Sequence, residues 1–146
     1  MKVSKCMTRD VRLVTPTQTI REAAQIMAEI DSGALPVAQD DRLVGMITDR
    51  DIAVRAVAEG KSPDTKVKDV MSAEILYCFD DQELKDISRN MGEVKVRRLP
   101  VVNRDKKLVG IVSLGDLAQK EEPELTASAV TNISKPGGRH SQATTQ

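Results

Sequence analysis

Two short stretches of this 146-residue sequence place a hydroxyl and a carboxylate three positions apart. They are Gly45-Met-Ile-Thr48-Asp-Arg-Asp51 and Gly110-Ile-Val-Ser113-Leu-Gly-Asp116. In each, an apolar strand-like run ends at the hydroxyl and a helical pattern begins. One reading is structural: Thr48 and Ser113 cap the helices, and Asp51 and Asp116 sit favourably at the positive end of the helix dipole. The other is chemical: helix-start N–H groups plus a hydroxyl hold a phosphate, and the carboxylate accepts two hydrogen bonds from a ribose diol. The two are compatible, because a capping residue can also face a ligand. Arg50, Arg55, Arg97 and Arg98 stand near these positions. Each is either a solvated charge or a planar clamp for a phosphate.

Residue counts exclude other chemistries. The single histidine, His140, lies in a polar tail. The folded part therefore holds no Ser-His-Asp or Cys-His arrangement and no His-rich metal cluster. Cys6 and Cys78 lie far apart and form no C-x-x-C pair. They are expected as buried, reduced thiols rather than a disulfide, with Cys78 inert and no structural zinc. Lys and Arg number 22, as do Asp and Glu, so no basic excess marks a nucleic-acid or anionic-membrane surface. Tyr77 and Phe79 are the only aromatics, which removes the stacking platforms of single-strand binders and requires an aliphatic core. The start, MKVSKCMTRDVRL, lacks the apolar stretch of a signal peptide. No apolar run approaches the roughly 20 residues that span a bilayer. A cytoplasmic location is the expectation.

The elements that position these residues come in duplicate. Displaced by 64 positions, Met7 falls on Met71, Ile20 on Leu84, Met27 on Met91, and Leu35-Pro36-Val37 on Leu99-Pro100-Val101. After one inserted residue the displacement is 65, and Leu43-Val44-Gly45 falls on Leu108-Val109-Gly110, Thr48 on Ser113 and Asp51 on Asp116. A displacement held through helix, strand and turn signals marks a duplication.

In copy one, 12–15 reads as a short strand ended by Pro16. Thr19-Ile-Arg-Glu22 reads as a capping box. Ile20, Ala23, Ala24, Met27 and Ile30 form the inner face of a helix that Gly33 stops. Strands over 34–38 and 43–48 flank a turn at Asp40-Asp41. A second helix from Asp49 buries Ile52, Ala53, Ala56 and Val57, with Gly60 at its end. Copy two repeats this: a strand over 75–79, a helix capped by Asp80 or Asp81, strands over 99–102 and 108–113, and a helix from Gly115-Asp116. The organisation is repeat one at 7–62, a linker at 63–70, repeat two at 71–122 and a polar tail at 123–146. A repeat of about 50 residues is marginal alone, so two would share a core and leave clefts in pairs.

The element order, the Leu-Pro-Val and Leu-Val-Gly strands and the Thr/Ser-x-x-Asp endings together resemble the CBS domain, and two in tandem resemble a Bateman module. Gly33-Ala-Leu-Pro36 and Met46-Ile-Thr-Asp-Arg-Asp51-Ile are similar to short stand-alone bacterial CBS pairs of the hypoxic response type. The likeness covers roughly residues 7–122. It implies an α+β (α/β-like) fold of two pseudo-twofold-related β-α-β-β-α subdomains. It implies a non-enzymatic regulatory module that binds an adenosine-containing ligand (AMP, ADP, ATP or S-adenosylmethionine), with no required cofactor. Ribose would fall to Asp51 and Asp116, with Thr48 and Ser113 as hydroxyl partners. Adenine contacts carry over to Thr15, Ser32, Gly33 and Ala34, and to Cys78, Val96, Arg97 and Arg98. Arg50 joins these as a phosphate candidate. In the family the clefts are shared, which would join Gly33 and Ala34 to Ser113 and Asp116, and Val96 and Arg97 to Thr48 and Asp51. A homodimer and signalling to a separate, unknown partner protein are further expectations. The alternative is an interaction protein with no nucleotide ligand.

Overall fold

Thr19 starts the first helix: its Oγ1 accepts from the Glu22 N–H at 3.1 Å, and α1 runs Ile20–Ile30. Half of the expected capping box forms, because the Glu22 carboxylate takes the Gln18 amide and the Thr19 hydroxyl. Ile20, Ala23 and Met27 are buried, whereas Ala24 and Ile30, also expected inside, are exposed and Ile26 packs on the core instead. The helix stops at Asp31, not Gly33. Asp31 adopts the left-handed conformation (φ 53°) and its N–H reaches the Met27 carbonyl, a closure that asparagine, aspartate and glycine tolerate best.

The computed structural model describes residues 1–94, 98–113, 115–116 and 131–132. β1 (Ala34–Gln39) and β2 (Arg42–Thr48) form an antiparallel hairpin, with an irregularity between Val37 and Ala38. Its two-residue turn, Asp40-Asp41, has positive φ at both positions (53° and 67°), the handedness that matches the twist of the flanking strands. The expected strand at 12–15 contracts to one parallel bridge between Val14 and Val37. α2 begins as Asp49–Asp51 and continues as a π-helical stretch, Ile52–Val57. The wider turn changes which side chains face inward. Ala56 is buried and Ile52 packs on the core, but Ala53 and Val57, expected inside, are exposed.

In the second copy β3 (Cys78–Phe79) pairs in parallel with β4 (Arg98–Val102), and β5 (Leu108–Ser113) completes the sheet. The strand expected over 75–79 thus shortens to two residues. α3 runs Leu84–Val94. It is not capped by Asp81, whose carboxylate is taken by Arg104 at 2.7 and 2.8 Å.

The chain divides into two units. Among the described residues, one comprises Arg12–Ile75 with Lys106–Leu108; the other comprises Met1–Val11, those of Leu76–Asp105 and those from Val109 onward. Each copy's leading segment therefore lies in the unit built on the other copy. In the repeat-one unit, a 3-10 turn at Val67–Asp69 buries Val67 and Val70 completely, in a core with Val14, Leu35, Val37 and Ile47. Ser72 and Met46 exchange two backbone hydrogen bonds of 2.9 and 3.0 Å at the free edge of β2. In the repeat-two unit, a turn at Val3–Lys5 buries Val3 with Leu84, Ile87, Leu99, Val101 and Val112. Thr8 and Ile111 exchange bonds of 2.8 and 2.9 Å at the edge of β5. Within the expected linker at 63–70, Val67 and Val70 are buried while most of the other residues are exposed. Burying one valine gains about 1.5–3 kcal/mol, and Val67 and Val70 anchor the segment.

Candidate functional site

Thr48 ends β2 in an extended conformation, and the next residue is helical. Its Oγ1 accepts from the Asp51 N–H at 3.0 Å, and its own N–H donates to Asp51 Oδ2 at 3.0 Å. Ser113 at the end of β5 does the same with Asp116: N–H to Oδ2 at 2.8 Å and Asp116 N–H to Oγ at 3.3 Å, with a further hydroxyl-to-Oδ2 bond of 3.2 Å. Both copies thus close the same reciprocal box. The structural role is realised in each. It uses one oxygen of each aspartate. The Asp51 side chain is 19% exposed, and its Oδ1 faces the Arg55 guanidinium at 4.0 Å. Arg55 also donates to the Met71 carbonyl at 3.1 Å, which ties α2 to the segment leading repeat two.

The first three N–H groups of α2 have partners within the chain. Asp49 donates to the Gly33 carbonyl at 2.9 Å, Arg50 to Asp49 Oδ1 at 2.8 Å, and Asp51 to Thr48. At this helix start the capping reading is the one realised, with three donors matched to acceptors of the chain itself. Thr48 keeps its hydroxyl proton, since its oxygen acts as an acceptor in the box.

Ser32, Gly33 and Ala34 come together with this box, because Ala34 lies opposite Thr48 in the hairpin register. Ser32 is buried and its Oγ donates to the Ala34 carbonyl at 3.2 Å. Gly33 is exposed, and a β-carbon there would lie 2.7 Å from Asp49 Oδ2, so a larger residue would require the Asp49 carboxylate to move. Thr15 is exposed, with its N–H on Gln18 Oε1 at 2.9 Å and its carbonyl accepting from Gln18 N–H at 3.2 Å. Arg50 is exposed.

In the other unit, Arg98 opens β4 and is exposed. Cys78 is 2% exposed, with its thiol 3.9 Å from the Pro100 carbonyl. Burial pushes that thiol up to about 12, with Cys6 and Asp80 adding to the effect. Val96 and Arg97 lie outside the described residues. Among the described residues no three His, Cys, Asp or Glu side chains group as metal ligands, and no helix is long and apolar enough to cross a membrane. Sequence reasoning overlooked Asp49 and Gln18. The signal for Gln18 was present, since Gln82 falls on it at the repeat displacement and closes on the Phe79 N–H at 2.8 Å as Gln18 does on Thr15.

The family model described as CBS domain matches residues 3–57 and 67–122. A CBS domain-containing protein of Bacillus subtilis, YhcV, is 46% identical over 133 residues, covering 90% of this chain and 94% of its own. Hypoxic Response Protein I, solved with two coordinated zinc ions, superposes with a TM-score of 0.76 at 36% identity, covering 84% of this chain and all of that one. CBSX2, solved in complex with AMP, superposes with a TM-score of 0.72 at 30% identity, covering 81% of this chain and 93% of its own. By sequence, by fold and by its twofold-repeated hydroxyl–aspartate box, the chain belongs to the CBS domain family as a tandem pair.

Proposed function

We propose that this chain is a regulatory, non-enzymatic module that binds an adenosine-containing ligand and signals to a separate protein. The observation that supports it most is the box present in both copies. In it, Asp51 and Asp116 are locked through one carboxylate oxygen. A carboxylate held this way is pre-oriented, so its second oxygen meets a ribose diol without losing rotamer freedom. Thr48 and Ser113 stand beside it as hydroxyl partners, and Ser32, Gly33 and Ala34 offer the backbone at which adenine would be read. The complex of the relative CBSX2 with AMP supports adenine nucleotide as the ligand class.

Calorimetric titration of AMP, ATP and S-adenosylmethionine into the chain tests this reading. Asp51→Ala and Asp116→Ala each weaken binding by about ten- to a hundredfold, on the order of 1.5–3 kcal/mol. Affinity unchanged in the double variant rejects the ribose role of both. We further propose a homodimer. It would use the outward face of α2, where Val54 and Val57 are 46% and 68% exposed; light scattering that returns the monomer mass at micromolar concentration rejects it.

A further inference from the structure

Cys6 and Cys78 are far apart in sequence and close in the fold. The Ser4 N–H donates to the Asp80 carbonyl at 3.0 Å, which lays the leading segment against the end of β3. Cys6 lies two residues after Ser4, and Cys78 two residues before Asp80. Both sulfur-bearing side chains join one apolar cluster, with Val3, Met7, Leu99 and Val101. Cys78 is fully inside it and Cys6 is half-buried.

The duplication supplies an internal control. At the repeat displacement the counterparts of Cys6 and Cys78 are Val70 and Val14. Those two valines are both completely buried in one cluster of the other unit. They are set by the equivalent hydrogen bond, Lys68 N–H to the Pro16 carbonyl at 3.0 Å. Where one unit places two valines in one cluster, the other places two thiols in one cluster.

We propose that Cys6 and Cys78 are a redox dithiol that closes to an intramolecular disulfide when the chain meets an oxidised low-molecular-weight thiol such as glutathione disulfide. The half-buried Cys6 thiolate attacks one sulfur of glutathione disulfide. That S–S bond breaks, a mixed disulfide forms on Cys6, and one glutathione thiolate leaves. Cys78 then gives its proton to solvent and attacks the Cys6 sulfur, expelling the second glutathione. Two protein thiols are oxidised and one small disulfide is reduced to two thiols. Because Cys78 is the buried, reluctant thiol, closure is the slower step. The bond would pin the N-terminal leader to β3.

The test uses the full chain, reduced, desalted and incubated with glutathione disulfide, then denatured, alkylated and weighed intact. Alkylatable thiols fall from two to none, the mass is that of a monomer less two hydrogens, and digestion yields one cross-linked peptide pair containing Cys6 and Cys78. Cys6→Val, which copies the residue of the other unit, leaves Cys78 alkylatable after the same treatment. Any of three results overturns the proposal: both thiols still alkylatable, a lasting glutathione adduct on Cys6 without closure, or a disulfide linking two chains.

Discussion

Met7 and Gly110 are in such close contact that a β-carbon on Gly110 would lie 2.6 Å from the Met7 sulfur and 2.9 Å from the Thr8 carbonyl oxygen. The other unit repeats the contact. A β-carbon on Gly45 would lie 2.7 Å from the Met71 sulfur and 2.8 Å from the Ser72 carbonyl oxygen. In each unit the leading segment of one copy lies across a strand glycine of the other. The glycine is there because a backbone passes over it.

Gly110→Ala and Gly45→Ala are therefore each expected to destabilise their unit by about 1–3 kcal/mol, since the backbone carbonyl cannot yield as a side chain can. Gly115→Ala behaves in the opposite way. Its nearest contact is Ser113 Oγ at 3.5 Å and the position is helical, so alanine gains about 0.5–1 kcal/mol. Urea unfolding of the three variants decides this, and a destabilised Gly115→Ala contradicts it.

Thr48→Ala removes the acceptor for the Asp51 N–H and is expected to cost about 0.5–2 kcal/mol. The cost appears in stability with no ligand present, unlike the binding loss of Asp51→Ala. Thermal melts of the ligand-free variant check it.

The Asp40-Asp41 turn holds two β-carbons in the left-handed region. Replacing the pair by Asn-Gly, which adopts this turn most readily, is expected to stabilise the hairpin by about 0.5–1 kcal/mol. An unchanged or lower denaturation midpoint would count against the turn assignment.

Arg104 stacks on Phe79, 4.1 Å from the ring centre, while its guanidinium forks onto Asp81. Its hydrogen bonds hold the Asp81 carboxyl below the usual range. A carboxylate whose folded pKa is lowered contributes stability above its ordinary pKa and loses it as pH falls through the folded value. Both groups are exposed, so solvent screens the effect. In an NMR titration Asp81 is expected to protonate at lower pH than an ordinary aspartate, and Arg104→Ala is expected to raise its midpoint.

Much of this protein is written in local pattern. The displacement of 64 and then 65 announces two copies, and the Leu-Pro-Val and Leu-Val-Gly runs appear as paired strands. Thr48-x-x-Asp51 and Ser113-x-x-Asp116 close as boxes because every atom involved lies within three residues. Such geometry needs only a strand end and a helix start, and both are short-range consequences of residue type. The tertiary structure decided the rest. Nothing local says that Val67 and Val70 turn back onto repeat one, or that Val3 and Met7 join repeat two. Either copy offers an open strand edge, a core that takes the valines and a glycine that admits a backbone, so local pattern does not say which leading segment goes to which copy. The π-helical turn over Ile52–Val57, in which Val57 is exposed, is likewise not written in the apolar spacing. The same non-local choice brings Cys6 to Cys78, because two residues so far apart in the chain meet only when a sheet edge is completed by a segment from the other repeat.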